Sequence, residues 1–164
     1  MRKWNLRKSA CSLSFAFLIF FCVAGLVQAA SIGRVTLLEG RMDVLKVGAN
    51  MATRVSLGQS VNVGDIFRTK SASRAEITFL NKNILRIAAS TRVEIKAYMS
   101  KGDRSSTIMR LERGRVQATS SAEFIKRVSA FVEGNKFEVH TPTAVAGIRG
   151  SSMIVFHEKG LTGA

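Results

Sequence analysis

Few side chains in this 164-residue chain have the chemistry to catalyse a reaction or to bind a metal. The two histidines, His140 and His157, stand apart in the sequence, and a zinc site needs about four ligands. Ser151 and Ser152 lack the G-x-S-x-G context of a nucleophile elbow. Most acidic residues alternate with other residue types as on solvent-exposed strand faces. We therefore predict no catalytic residue, no metal site, no cofactor and no enzymatic activity.

The segment 141–150 is the main candidate for binding. Its G-x-x-G pattern is one that clamps the nucleic-acid backbone in some RNA-binding domains. Here predicted strands flank the pattern, so we expect no nucleic acid. Instead, we expect the glycines to shape a bend and Arg149 to pair with a carboxylate or to lay its stem over a sheet edge. Proline cannot donate to a strand ladder, so Pro142 indicates an edge or a strand start. The candidate binding residues are Thr141, Pro142, Thr143, Gly147, Arg149 and Gly150.

Gly64 and Asp65 form a turn signal rather than a ligand site. Glycine permits the positive φ of a tight turn, and an aspartate carboxylate accepts backbone N–H groups two residues further along the chain. We therefore predict a structural role for both residues.

Basic residues outnumber acidic ones by 25 to 11, which gives a formal net charge of +14. If neighbouring strands carry them, the outward residues form one positive face, which attracts anionic partners in a salt-dependent way. Phospholipid headgroups, lipopolysaccharide phosphates and acidic polymers are such partners. The alternative is a solvated face that keeps the protein soluble. The residues predicted for this face are Arg68, Arg74, Arg86, Arg92 and Lys96.

Residues 1–29 have the layout of a secretory signal peptide. A basic start is followed by an apolar run and by Val27-Gln28-Ala29, so we predict cleavage after Ala29. An uncleaved anchor is the alternative, although the apolar run is shorter than the roughly 20 residues of a spanning helix. Cleavage removes four of the 25 basic residues and no acidic one, which leaves a net charge of +10. Both cysteines leave as well, which suits an oxidising compartment.

Residues 30–164 show the pattern of a single all-β domain. Apolar residues alternate with polar ones along 74–79, 92–97, 109–112 and 137–139. Glycine turn signals, including Gly40 and Gly114, separate such runs at intervals typical of a sandwich or a short solenoid-like stack of hairpins. A weak echo relates 38–44 to 111–116, in which an apolar strand meets a glutamate, a glycine turn and an arginine. Residues 120–132 read equally well as a helix or as a loop followed by a strand.

Two stretches together resemble the FecR domain family. The first comprises 63–69, with a G-D-I-F-R-T turn, 73–79, with an S-R-A-E strand, and 85–87. The second, 137–155, contains T-P-T-A-V-A-G-I-R-G-S and is the more specific of the two. The similarity extends over about 32–156. No helical domain precedes the apolar run, so the chain looks like the stand-alone exported members. Its last residues, 160–164, read as a hairpin turn without a return strand, as in a C-terminally truncated domain.

The resemblance implies a periplasmic or secreted domain that works by binding. The first hypothesis is contact with an envelope protein through a sheet edge or through segment 141–150. The second is binding of the cell wall or of another anionic envelope polymer through the basic face. The third is a signal relay held at the membrane by an uncleaved anchor. After cleavage we expect no stable membrane span.

Overall fold

The computed structural model describes residues 30–130, 134–159 and 161–164. The predicted signal peptide, residues 1–29, lies outside the described residues. Strands hold 56% of the residues and helix 6%, which confirms the all-β prediction. In chain order the elements are β1 (Gly33–Glu39), β2 (Met42–Leu45), β3 (Thr53–Arg54), β4 (Ser60–Val61), β5 (Ile66–Thr69), β6 (Arg74–Phe79), β7 (Ile84–Ile87), β8 (Arg92–Lys101), β9 (Arg104–Thr119), α1 (Ala122–Ser129), β10 (Lys136–His140), β11 (Val145–Gly147), β12 (Ser152–Glu158) and β13 (Leu161–Gly163).

The strands form one curled sheet whose two halves share β9. The first half-sheet has the order β4-β1-β6-β7-β9-β12-β13, and the second has the order β3-β2-β5-β8-β9-β10-β11. All pairs are antiparallel except β9 and β10, which run parallel. The N-terminal part of β9 pairs with β8 and β10, and its C-terminal part pairs with β7 and β12.

Gly114 lies inside β9, where the chain passes from one half-sheet to the other. Its φ is +94°, a conformation that glycine adopts without the steric cost of a Cβ. The predicted turn at this glycine is therefore wrong, because the chain bends there without reversing. Gly40, the matching residue of the sequence echo, does separate two strands, β1 and β2. The two copies of the echo thus have different structures.

One hydrophobic core lies between the half-sheets. It is built from the inward residues of the alternating runs, among them Phe67, Phe79 and Phe137. The Phe79 ring stacks on Tyr98 with centroids 6.0 Å apart, and it meets Phe137 edge-on at 6.5 Å. Such aromatic pairs add about 0.5–1.5 kcal/mol beyond the buried area. Most charged residues of the same strands therefore face outward on both half-sheets, whereas Thr69 and Thr107 are polar residues that lie buried.

Helix α1 resolves the two alternatives for residues 120–132 in favour of a helix. Ser121 is its N-cap, and its hydroxyl accepts the N–H of Phe124 at 3.1 Å. Phe124 is buried, and its ring meets Phe137 edge-on at 6.1 Å. None of the described helical residues forms a helix long and apolar enough to cross a bilayer.

Candidate functional site

Segment 141–150 forms a hairpin turn and an edge strand of the second half-sheet. The Thr141 hydroxyl accepts the N–H of Ala144 at 3.0 Å, which closes the turn between β10 and β11. Pro142 is exposed in this turn, where it needs no strand partner, directly before the edge strand. Among the described residues, β11 pairs only with β10. The predicted binding segment therefore borders an open sheet edge.

The register of β10 and β11 shows which backbone groups of β11 point away from the sheet. Thr141 donates its N–H to the carbonyl of Ala144 at 2.8 Å, and Ile148 donates to Phe137 at 2.8 Å. Hydrogen-bonded and non-hydrogen-bonded pairs alternate in an antiparallel ladder. Val145 and Gly147 consequently belong to non-hydrogen-bonded pairs. Their N–H and C=O groups face the open edge, where a further strand can bind them.

A groove of about 310 Å³ lies beside this edge, between β11 and the hairpin of β12 and β13. Val145, Ala146, Met153, Val155 and Gly163 give it a largely apolar lining. The Val145 side chain is 63% exposed. An exposed apolar residue on an edge strand is a liability that proteins usually avoid. The groove thus combines unpaired backbone groups with apolar surface.

Thr162 ties the two half-sheets together at one end of the groove. Its hydroxyl lies 2.6 Å from the Thr143 hydroxyl and 2.7 Å from Nδ1 of His157. The other histidine, His140, lies with Nε2 2.9 Å from a carboxylate oxygen of Glu138 on its own strand. In the described ranges, no group of three or more His, Cys, Asp or Glu side chains is arranged to hold a metal ion.

The remaining residues of the segment differ from the prediction. Neither Gly147 nor Gly150 has a positive φ, and a Cβ at either position would meet nothing within 4 Å. The chain does bend at Gly150, but neither position requires a glycine for its backbone conformation or for a close approach. Arg149 is exposed and forms no ion pair with any described carboxylate, so its predicted pairing is absent.

Gly64 and Asp65 do form a turn, with Gly64 at φ +84° and the N–H of Asp65 3.3 Å from the carbonyl of Asn62. The carboxylate of Asp65 is buried. It accepts the N–H of Asn62, three residues earlier, at 2.8 Å rather than an N–H further along the chain. It also lies 2.6 Å from Nζ of Lys46. Sequence reasoning missed this lysine, because nothing local relates the two positions.

The five residues of the predicted basic face do not share a face. Arg74 and Arg86 lie on the first half-sheet, whereas Arg68, Arg92 and Lys96 lie on the second. The predicted single face is therefore wrong, because the turn between β5 and β6 carries the chain across the sandwich.

Most of these cations are also neutralised by carboxylates. Arg74 binds Glu39 through Nε and Nη2, at 2.6 and 2.8 Å. That hydrogen bonding lowers the pKa of Glu39 and raises the pKa of Arg74. The three other pairs are Arg86–Glu76 at 2.9 Å, Arg92–Glu112 at 2.6 Å and Lys96–Glu94 at 2.9 Å. Of the five, only Arg68 forms no ion pair with a described carboxylate.

Comparison with known proteins identifies the family. The family model described as FecR protein matches residues 65–162, more than half of the chain. The match begins at the Gly64–Asp65 turn and includes every element from β5 to the first residues of β13. No curated protein and no solved structure matches the chain significantly. The family suggests a sensing or regulatory domain, typically associated with the envelope. The chain belongs to the FecR family.

Proposed function

We propose that this protein is an exported, non-enzymatic binding domain of the bacterial envelope, which senses a partner protein by contact. The partner contributes an extended segment that adds as a strand to β11. The observation that carries the proposal is the open edge of β11 beside the apolar groove. Strand addition provides affinity through main-chain hydrogen bonds and specificity through pockets for alternate side chains.

The groove supports this mode of binding better than it supports binding of a small polar molecule. Val145 and Gly147 each offer one donor and one acceptor toward the edge, in the spacing that a partner strand matches. An apolar side chain of that strand would pack against Val145, Ala146 and Met153. The partner would thus cover the apolar surface that the domain leaves exposed.

Gly147→Pro tests the edge directly. Proline removes the N–H that points at the partner but leaves the pairing of Ala146 with Val139 and the hydrogen bond that Ile148 donates to Phe137 intact. We expect partner capture from envelope extract to fall by about tenfold, because one backbone hydrogen bond contributes about 0.5–1.5 kcal/mol and the ring also obstructs the incoming strand. Quantitative mass spectrometry of proteins retained on the immobilised domain measures the change.

Gly147→Ala is the matched control. Its Cβ enters open space and its N–H remains, so the captured proteins should be those of the wild type in the same amounts. A proline variant that still retains every wild-type partner would show that the edge of β11 is not the binding site. A measurable turnover of a substrate by the purified domain would contradict its description as non-enzymatic.

Export is tested separately, by N-terminal sequencing of the protein from fractionated cells. We expect a mature product in the periplasm or the medium that begins at Ala30, since a signal peptidase reads the small residues around Ala29. A chain that retains Met1 in the membrane fraction would support the anchored signal relay instead. An intact, soluble chain in the cytosol would exclude both.

A further inference from the structure

A row of charged side chains crosses the outer face of the second half-sheet. Five charged residues are register partners in succession across the strands β3, β2, β5, β8 and β9. In that order they are Arg54, Asp43, Arg68, Arg92 and Arg113. We call these five residues the arginine row. Neighbouring strands lie about 4.8 Å apart, so the row is about 19 Å long. It runs straight across the strands because each member is the register partner of the next.

The cations of this face are only partly neutralised. Arg41 and Lys70 add to the four arginines of the row, so six cationic side chains share the carboxylates of Asp43 and Glu112. Lys70 lies 2.7 Å from Asp43, and Nε of Arg92 lies 2.6 Å from Glu112. The contact between Arg92 and Glu112 is an ion pair that lacks the geometry of a hydrogen bond. The buried Nε–H of Arg92 therefore has no acceptor within the described part of the chain.

Three members of the row, Arg54, Arg68 and Arg113, are exposed and form no ion pair with a described carboxylate. Arg68, Arg92 and Arg113, together with Glu112, line a shallow cavity of about 290 Å³. Like charges directly opposite each other on adjacent strands are destabilising. The fold nevertheless places arginine opposite arginine twice, at Arg68–Arg92 and at Arg92–Arg113. A bound anion would remove this repulsion.

We infer that the arginine row binds a linear acidic polysaccharide laid across the strands. The row carries four guanidinium groups that can contact successive anionic groups of a polymer. Lys70 neutralises Asp43, which lies between Arg54 and Arg68. Each planar guanidinium can bind a carboxylate or a similar oxyanion through two parallel hydrogen bonds. This site is separate from the edge of β11, so the two sites can be occupied independently.

The surroundings of the row favour a polysaccharide over other polyanions. Among the described residues, the cavity at Arg68, Arg92 and Arg113 has no apolar lining residue, whereas a membrane-docking face inserts apolar groups between its cations. No described aromatic side chain lines it either, whereas proteins that bind single-stranded nucleic acid stack bases on aromatic rings. A cavity lined by charged side chains fits a hydrated polymer.

The test is isothermal titration of the mature protein with polygalacturonate, a linear polymer of carboxylated sugars, at low and high salt. We expect binding at low salt that weakens steeply as salt rises. Arg68→Gln/Arg113→Gln should weaken binding by about tenfold, since two charge-assisted contacts are lost. The control Arg34→Gln/Arg115→Gln removes the same charge from exposed positions on the first half-sheet and should change affinity by less than about twofold.

Thermal melting is a second measurement on the same variants. Because Arg68→Gln removes the repulsion from Arg92 together with the attraction to Asp43, the melting temperature of the row variant should stay close to that of the wild type, so lost binding cannot be attributed to unfolding. Equal loss of binding in both double variants would show bulk attraction only and would overturn the inference. Absence of polygalacturonate binding at low salt would overturn it too, as would a preference for duplex DNA or for phosphatidylglycerol vesicles over the polymer.

Discussion

Gly114→Ala is expected to lower the free energy of unfolding by about 3–4 kcal/mol, through strain at a special backbone position and a clash. Gly114 has φ +94°, so any Cβ there is strained. That Cβ would also lie 2.3 Å from Oγ1 and 2.6 Å from Cα of Thr91. The Thr91 hydroxyl accepts the N–H of Arg115 at 3.0 Å, and the clash would disturb this bond as well. Urea denaturation followed by circular dichroism measures the loss.

Two further alanine variants separate the causes of that loss. Gly48 has φ +75° but nothing within 4 Å of its Cβ position, so Gly48→Ala should cost about 1 kcal/mol from backbone strain alone. Gly147 has neither feature, and its alanine variant should be within about 0.5 kcal/mol of the wild type. If the Gly48 and Gly114 variants lost the same amount, backbone strain alone would explain both losses, and the close approach of Thr91 would contribute nothing to the free energy of unfolding.

The strands were predictable from the alternation of apolar and polar residues, because successive side chains of a strand point to the core and to the solvent in turn. Residues 74–79 were expected as a strand and form β6 over the same bounds. The buried members, Ala75, Ile77 and Phe79, are those that the pattern placed on the inner face. Alternation carries this information locally, so no knowledge of the partner strands is needed.

Strand pairing was not predictable, because alternation gives the face of a residue but not its neighbours. Arg68 and Arg74 are close in sequence, yet they lie on different half-sheets. Arg68 and Arg92 are far apart in sequence, yet they are register partners. The arginine row depends further on a bulge in the pairing of β8 and β9, which brings Arg113 opposite Arg92. No local pattern in the sequence indicates that bulge.

The proposed binding segment was partly predictable for a related reason. Pro142 was expected at a sheet edge or a strand start, and it lies in the turn directly before the edge strand β11. The free edge of β11 depends on which strands pair beyond it, and the groove depends on β12 and β13 as well. The sequence therefore indicated the segment, whereas the exposed backbone groups of Val145 and Gly147 followed only from the register of β10 and β11.

Asp65→Ala is expected to lower the free energy of unfolding by about 3 kcal/mol, because it removes a buried carboxylate that accepts a backbone N–H and neutralises a lysine. The carboxylate of Asp65 is 1% exposed. Without it, the N–H of Asn62 loses its acceptor and Nζ of Lys46 loses its counter-ion. Asp65→Asn should cost less than the alanine variant, since an amide oxygen can still accept from Asn62. Chemical denaturation of both variants measures the difference.

Asp43→Ala is the matched control, because Asp43 also pairs with a lysine but lies nearer the surface. Its carboxylate is 22% exposed, and Lys70, at 2.7 Å, is 28% exposed. Pairs in this environment contribute about 0–1 kcal/mol, so the control should lose no more than that. Lys70, Arg41 and Arg68 lower the pKa of Asp43, so the small stability that Asp43 contributes should be present above its ordinary pKa and lost as the pH falls. Equal losses for the Asp43 and Asp65 variants would mean that burial of the carboxylate does not decide the energy of the turn at Gly64.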